Sequence, residues 1–204
     1  MRPLVVGIGG STRTASTGER ALRLALQAAE EAGANTRIYS GSFLARLPVY
    51  GPENPERNRE QRELVDAVRC ADGLILASPG YHGGISGLVK NALDLLEDLR
   101  DDRRCYLEGR AVGCIITSSG WQTIGSALAG MRSIIHALRG WPTPLGAGLN
   151  TAEKLFDATG TCIHQAAALQ LATVGRQVVE FAQKWSARSP LQEMQNEPSA
   201  GHLS

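Results

Sequence analysis

Short apolar runs alternate with segments of helical period along most of this chain, and that alternation is what most restricts its fold. Leu4–Gly9 reads as a strand. Thr17–Ala32 then places Ala21, Leu22, Leu24, Ala25, Ala28 and Ala29 on one helical face and stops at Gly33. Further strands are expected at Thr36–Ser40, Gly73–Ser78, Ala111–Thr117 and, shorter, within Pro142–Gly148. Helices are expected from Pro55 to Cys70, with Leu64, Val65, Val68 and Cys70 inward, and over Ser86–Leu99, Ser126–Leu138 and Thr159–Ser186. Gly41 to Arg57 holds three prolines and reads as a loop. Parallel strands need a crossover between them, usually a helix. The pattern therefore predicts an α/β fold with a parallel sheet, and five strands with helices between them fit a doubly wound sheet of order 2-1-3-4-5 with helices on both faces.

At 204 residues, a single domain over 1–187 is expected. From Arg188 on, Pro190, Pro198, Gly201 and many polar residues suggest a flexible C-terminal tail, 188–204. The 21 Lys and Arg nearly balance 20 Asp and Glu, so no charged field points to nucleic acid or a membrane as partner. No apolar segment approaches the roughly 20 residues that span a bilayer. The apolar run at the start is too short for a signal peptide. Cys70, Cys105, Cys114 and Cys162 form no Cys-x-x-Cys pair. Free thiols in the cytoplasm are therefore expected.

Strand ends carry the chemistry. The first runs into Gly10-Ser11-Thr12-Arg13-Thr14-Ala15-Ser16-Thr17-Gly18 before a helix. Unpaired amides at a helix start favour a phosphate; serine and threonine hydroxyls add donors, and an arginine can bind two phosphate oxygens. Thr12 stands where a dinucleotide fingerprint needs a third small residue, and no Gly-Lys-Ser/Thr of a P-loop is present. One phosphate on a hydroxyl-rich loop suits a mononucleotide.

The third strand ends in Ser78-Pro79-Gly80-Tyr81-His82-Gly83-Gly84-Ile85-Ser86-Gly87, a poor core segment. It suits close approach of main chain to a flat ligand: glycines admit positive φ, and Tyr81 offers a ring. Ser86 is a plausible helix cap, and Lys90, Asn91 and Asp94 recur on one face at spacing that permits a hydrogen-bonded cluster, more to buttress the loop than to touch substrate. The fourth strand runs into Thr117-Ser118-Ser119-Gly120-Trp121-Gln122-Thr123-Ile124-Gly125, a second anion-friendly loop. His136 and His164 read as helical packing or surface residues, no metal-ligand spacing recurs, and no Gly-x-Ser-x-Gly elbow is present.

These residues resemble the NADPH-dependent FMN reductase family of flavodoxin-like proteins. Gly10-Ser11-x-Arg13-x-x-Ser16 and Ser78-Pro79-x-Tyr81-x-x-x-x-Ser86-Gly87-x-x-Lys90-Asn91-x-x-Asp94 match its signatures. The resemblance implies that Ser11, Arg13, Ser16 and Thr17 hold the FMN phosphate. Pro79, Gly80, Tyr81, His82 and Gly83 would surround the isoalloxazine, and Ser118, Ser119 and Gly120 would line its pyrimidine side. Trp121 departs from a frequent Gly-Gly in the family and could shape the nicotinamide or acceptor pocket. It further implies hydride transfer from NADPH to flavin N5 and on to a small acceptor: a flavin, quinone, azo compound or metal oxyanion. No side chain need act as catalytic acid or base, and His82 is expected as a flavin neighbour. Two alternatives stay open: FMN as a released substrate for a monooxygenase, and an electron carrier without nicotinamide activity, which near-neutral charge disfavours. A homodimer or homotetramer is implied as well, with Leu93-Asp94-Leu95-Leu96 offering apolar residues to spare.

Overall fold

In the computed structural model, which describes residues 2–195 and side-chain environments through 187, five strand positions lie side by side in one sheet. β1 (Leu4–Gly9) pairs in parallel with β2 (Asn35–Ser40) on one side and β3 (Gly73–Tyr81) on the other. A two-residue β4 (Gly84–Ile85) folds back on β3. β5 (Ala111–Ser118) pairs with β3 from Gly73↔Ala111 to Pro79↔Thr117. The fifth position is split. β6 (Trp141–Pro142) and β7 (Ala147–Asn150) each run parallel to β5, at its start and its end. Pro144 has no N–H for a ladder bond, so pairing lapses between them. Arg132 donates to the Thr143 and Pro144 carbonyls, 2.9 and 3.0 Å away, and satisfies the gap. The expected order therefore holds, with the last strand broken in two.

Helices cover both faces. α1 (Thr17–Glu31) and α6 (Gln165–Gln195) pack one core with Val5, Ile75, Ile115 and Leu149. On the other face a short α2 (Gly41–Leu44) lies within the expected loop, followed by α3 (Arg59–Cys70), α4 (Gly87–Asp94) and α5 (Trp121–Ala137) around Ile8, Leu74, Leu76 and Ile116. After Asp94 the helix tightens into a 3₁₀ turn, Leu95–Leu99.

Several boundaries depart from the sequence reading. α3 opens after Asn58 because Asn58 and Gln61 form a reciprocal capping box, leaving Pro55 in the loop, and Cys70 points outward. α5 opens five residues early, so Trp121 to Gly125 are helix, and His136 is exposed. α6 opens six residues late. The Asp157 carboxylate accepts the Thr159 and Thr161 amides, each at 2.9 Å, and holds a turn there, while His164 Nδ1 caps the helix by accepting the Ala167 amide at 3.2 Å. These bonds hold the Asp157 carboxyl below its ordinary pKa, the Thr159 hydroxyl contributing most. α6 continues past residue 187, where a tail was expected; 196–204 lie outside the described residues. Leu93, Leu95 and Leu96 are at most 2% exposed, so the chain's own core takes up the apolar residues that seemed to spare.

The amino end of the sheet is closed by Arg110, 1% exposed. Its guanidinium donates to the Ala71, Tyr106 and Arg69 carbonyls at 2.9, 2.8 and 2.8 Å, tying down the end of α3. Burial lowers its pKa to about 10.

Candidate functional site

The opposite, carboxyl end is built from three segments, and the first follows β1. Gly10 N–H donates to the Ala77 carbonyl at 3.0 Å, pinning the loop to β3. Ser16 caps α1, its Oγ accepting the Glu19 amide at 3.2 Å. Ser11 Oγ likewise accepts the Arg13 amide at 3.3 Å. Each hydroxyl thus uses an oxygen lone pair and keeps its hydrogen to donate. The Thr17 and Gly18 amides have no backbone partner among the described residues, as the first turn of a helix requires. The Arg13 side chain is exposed and engages no hydrogen bond among them, so it is available to an anion. Glu19, in the first turn of α1, is paired with Arg23 at 2.7 Å. The loop bends through Ala15, held at φ 52° in the left-handed region, a conformation costing about 1 kcal/mol or more without glycine.

The second segment is a hairpin rather than a loop. β3 extends three residues beyond the expected strand end, and His82 and Gly83 form its two-residue turn with φ of 51° and 82°. Positive φ at both positions defines the turn that suits strand twist. Glycine meets that need freely; histidine tolerates it. Fully buried Ser78 holds the base, its Oγ accepting the Ser86 amide at 2.8 Å, while Ser86 caps α4. Tyr81 is 55% exposed, His82 and Gly83 are exposed, and Pro79 is half-buried. Gly80 is buried, and a side chain there would come within 2.9 Å of Thr123 and 3.5 Å of Ser118.

That approach brings in the third segment. Ser118 and Gly120 are half-buried and Ser119 exposed at the end of β5, and Gly120 begins α5 without a side-chain cap. The first-turn amides of α5 are therefore a second set of free donors. Trp121 opens this helix and is 61% exposed. Thr117 was not singled out from sequence, yet it links the walls. It is 6% exposed, its hydroxyl lies 3.6 Å from the Cβ position of Gly18, and it makes no side-chain hydrogen bond among the described residues. Only the strand register could reveal it.

A cavity of about 620 Å³ opens beside these walls. Ser11, Pro79 and Tyr81 line it, as do Thr12, the start of α4 and the segment Leu47, Val49 and Tyr50. The other nine expected contacts stand outside: Arg13, Ser16, Thr17, Gly80, His82, Gly83, Ser118, Ser119 and Gly120. Thr14 and Ala15 face a separate hollow between α1 and α6, so the first loop is a ridge between two depressions. Gly41, at the start of α2, lets the first loop pass, since a side chain there would collide with the Ser11 carbonyl oxygen. Prolines mark 47–50 as irregular chain, but its contact with α4 is long-range and invisible in periodicity. Lys90 pairs with Asp94 at 2.6 Å, while Asn91 turns away from them toward that segment.

A family model described as NADPH-dependent FMN reductase matches residues 3–153. An FMN-dependent NADPH-azoreductase of Staphylococcus aureus is 34% identical over 93 residues, 46% of this chain and 46% of that protein; the match thus spans about half the length of the curated relative. Among solved structures, FerB, a flavoenzyme NAD(P)H:(acceptor) oxidoreductase from Paracoccus denitrificans, superposes with a TM-score of 0.72 at 19% identity, covering 89% of this chain and 98% of that one. Apo NADH:FMN oxidoreductase (EMOB) gives 0.65 at 22% identity, covering 98% and 95%. A WrbA-like flavodoxin from Agrobacterium tumefaciens gives 0.62 at 13%, covering 90% and 99%. At such identities the structural likenesses speak to the fold.

Proposed function

The chain belongs to the NADPH-dependent FMN reductase family, and on that premise we propose that it is an FMN-dependent NAD(P)H oxidoreductase serving a small acceptor. The observation that carries the reading is the convergence of donors without a free carboxylate. The Thr17 and Gly18 amides, the hydroxyls of Ser11, Ser16 and Thr17, and Arg13 belong to the one stretch Ser11–Gly18; the Thr117 hydroxyl and the Gly10 Cα lie 3.6 and 3.7 Å from the Cβ position of Gly18, and Glu19 is paired with Arg23. This donor set fits a phosphate monoester.

In this reading Ser11, Arg13, Ser16 and Thr17 hold the phosphate, with Thr117 as a further donor. Pro79, Gly80, Tyr81, His82 and Gly83 form the surface for the ring, and Ser118, Ser119 and Gly120, with the α5 amides, meet its polar edge. FMN, when bound, supplies hydride acceptance from the nicotinamide at N5 and electron delivery to the acceptor. The side chains orient the reactants, since alignment supplies much of the rate enhancement in such transfers. The exposed Tyr81 and Trp121 rings offer flat surface for nicotinamide or acceptor.

Among the described residues no helix is long and apolar enough to cross a membrane. We place the protein in the cytoplasm on the strength of its four free thiols. A homodimer or homotetramer is proposed from the family resemblance, joined through surfaces other than the buried leucines after Ala92.

Titration of the purified chain with FMN, then NADPH and NADH, followed at the flavin absorbance, tests the function. The expected result is saturable FMN binding and bleaching by reduced nicotinamide. A bound flavin that both nucleotides leave oxidised would reject the enzyme in favour of an electron carrier. A colourless protein with saturable FMN turnover would instead mark FMN as a released substrate.

A further inference from the structure

The Leu47–Tyr50 segment forms one wall of the 620 Å³ cavity and is clamped from two sides. Asn91 on α4 holds it with bonds of opposite sense: its Oδ1 accepts the Tyr50 amide at 2.7 Å, and its Nδ2 donates to the Pro48 carbonyl at 3.0 Å. One primary amide thereby fixes two successive peptide groups. Beyond them, Arg57 lies 5.1 Å from the centre of the Tyr50 ring and is itself fixed on Asp98 through two bonds, 2.8 and 2.9 Å. Between the clamps Val49 projects 87% exposed at the mouth, near Leu88 and Tyr81. A rigidly held segment that exposes a valine beside a cavity is suited to contact with an apolar ligand. The charged side chains lining the cavity, Lys90 and Asp94, neutralise each other at 2.6 Å, leaving no free cation there among the described residues.

We propose that Asn91 is a positioning residue that holds this apolar wall in place, and that the wall selects a planar, uncharged acceptor over an inorganic anion. The inference rests on the oxidoreductase reading. It assigns the cavity to the acceptor, beside the surface for the flavin.

The test uses the full chain loaded with FMN, reduced by NADPH and reoxidised by menadione or by ferricyanide. Asn91→Ala should raise KM for menadione roughly three- to tenfold, the loss of a modest net contact, with kcat, FMN affinity and ferricyanide KM unchanged. Asn91→Asp keeps the acceptor for Tyr50 and loses the donor to Pro48, so its KM should fall between. Val49→Ser, at a position too exposed to affect folding, should raise menadione KM alone. Equal shifts for both acceptors, no shift in Val49→Ser, or a loss of FMN affinity in place of the KM change would overturn the proposal. Wild-type flavin that neither NADPH nor NADH reduces would defeat the oxidoreductase reading and this one together, and would be seen before any variant is made.

Discussion

The two ends of the sheet use polar groups in opposite ways. At the amino end, Arg110 is enclosed and each donating nitrogen reaches a carbonyl, while Asp72 accepts the Leu4 amide at 2.9 Å and Arg104 donates to Ala71 and Gly109. At the carboxyl end, the Ser11 and Ser16 hydroxyls keep free hydrogens, α5 starts without a side-chain cap, and Arg13 has no side-chain partner among the described residues. Satisfied polar groups hold a fold together; unsatisfied, solvated ones are available to a ligand. The contrast separates stability from binding in one small domain, and variants at each end should affect only one of the two.

The largest effect is expected at the closed end. Arg110→Ala leaves the Tyr106 and Arg69 carbonyls without this donor, leaves Ala71 with Arg104 alone, and opens a cavity, so it should lower unfolding stability by on the order of 3–5 kcal/mol. Urea denaturation measures this, and the fraction still folded should bind FMN with unchanged affinity. Weakened binding in that fraction would break the contrast. Next comes Arg13→Ala, which should weaken FMN binding by roughly 1.5–3 kcal/mol, the range for a charged hydrogen bond. Its denaturation midpoint should not move. Unchanged FMN affinity would remove Arg13 from the site. The smallest effect belongs to Thr117→Val, which keeps the shape and deletes the hydroxyl. About 0.5–1.5 kcal/mol of FMN affinity should be lost. A comparable loss of stability would instead mean that this hydroxyl serves the fold.

Much of this arrangement was legible beforehand because it depends on local pattern. The alternation of strands and helices follows from the apolar runs, and the anchoring of the first loop from Ser16 and the first turn of α1. Where expectations missed, a non-local or capping interaction overrode the pattern. The 78–84 stretch read as a loop because its residues are small and polar, yet Ser78 bonding to Ser86 closes it into a hairpin. Trp121 read as part of a loop, but an uncapped glycine starts the helix before it. Leu93 to Leu96 read as surplus apolar surface until the sheet was seen to cover them.

By itself the sequence determined the alternation of strands and helices, the hydroxyl-rich composition of the loop after β1 and the family signature, because each lies within a short stretch of chain whose propensities and spacing are local. Only the tertiary structure decided which of those residues share a site. Thr117 meets Gly18 through the register of β5, and Asn91 reaches Pro48 and Tyr50 across more than 40 positions of sequence. The distance between two side chains far apart in the chain is set by how strands stack and helices pack, which no local periodicity encodes.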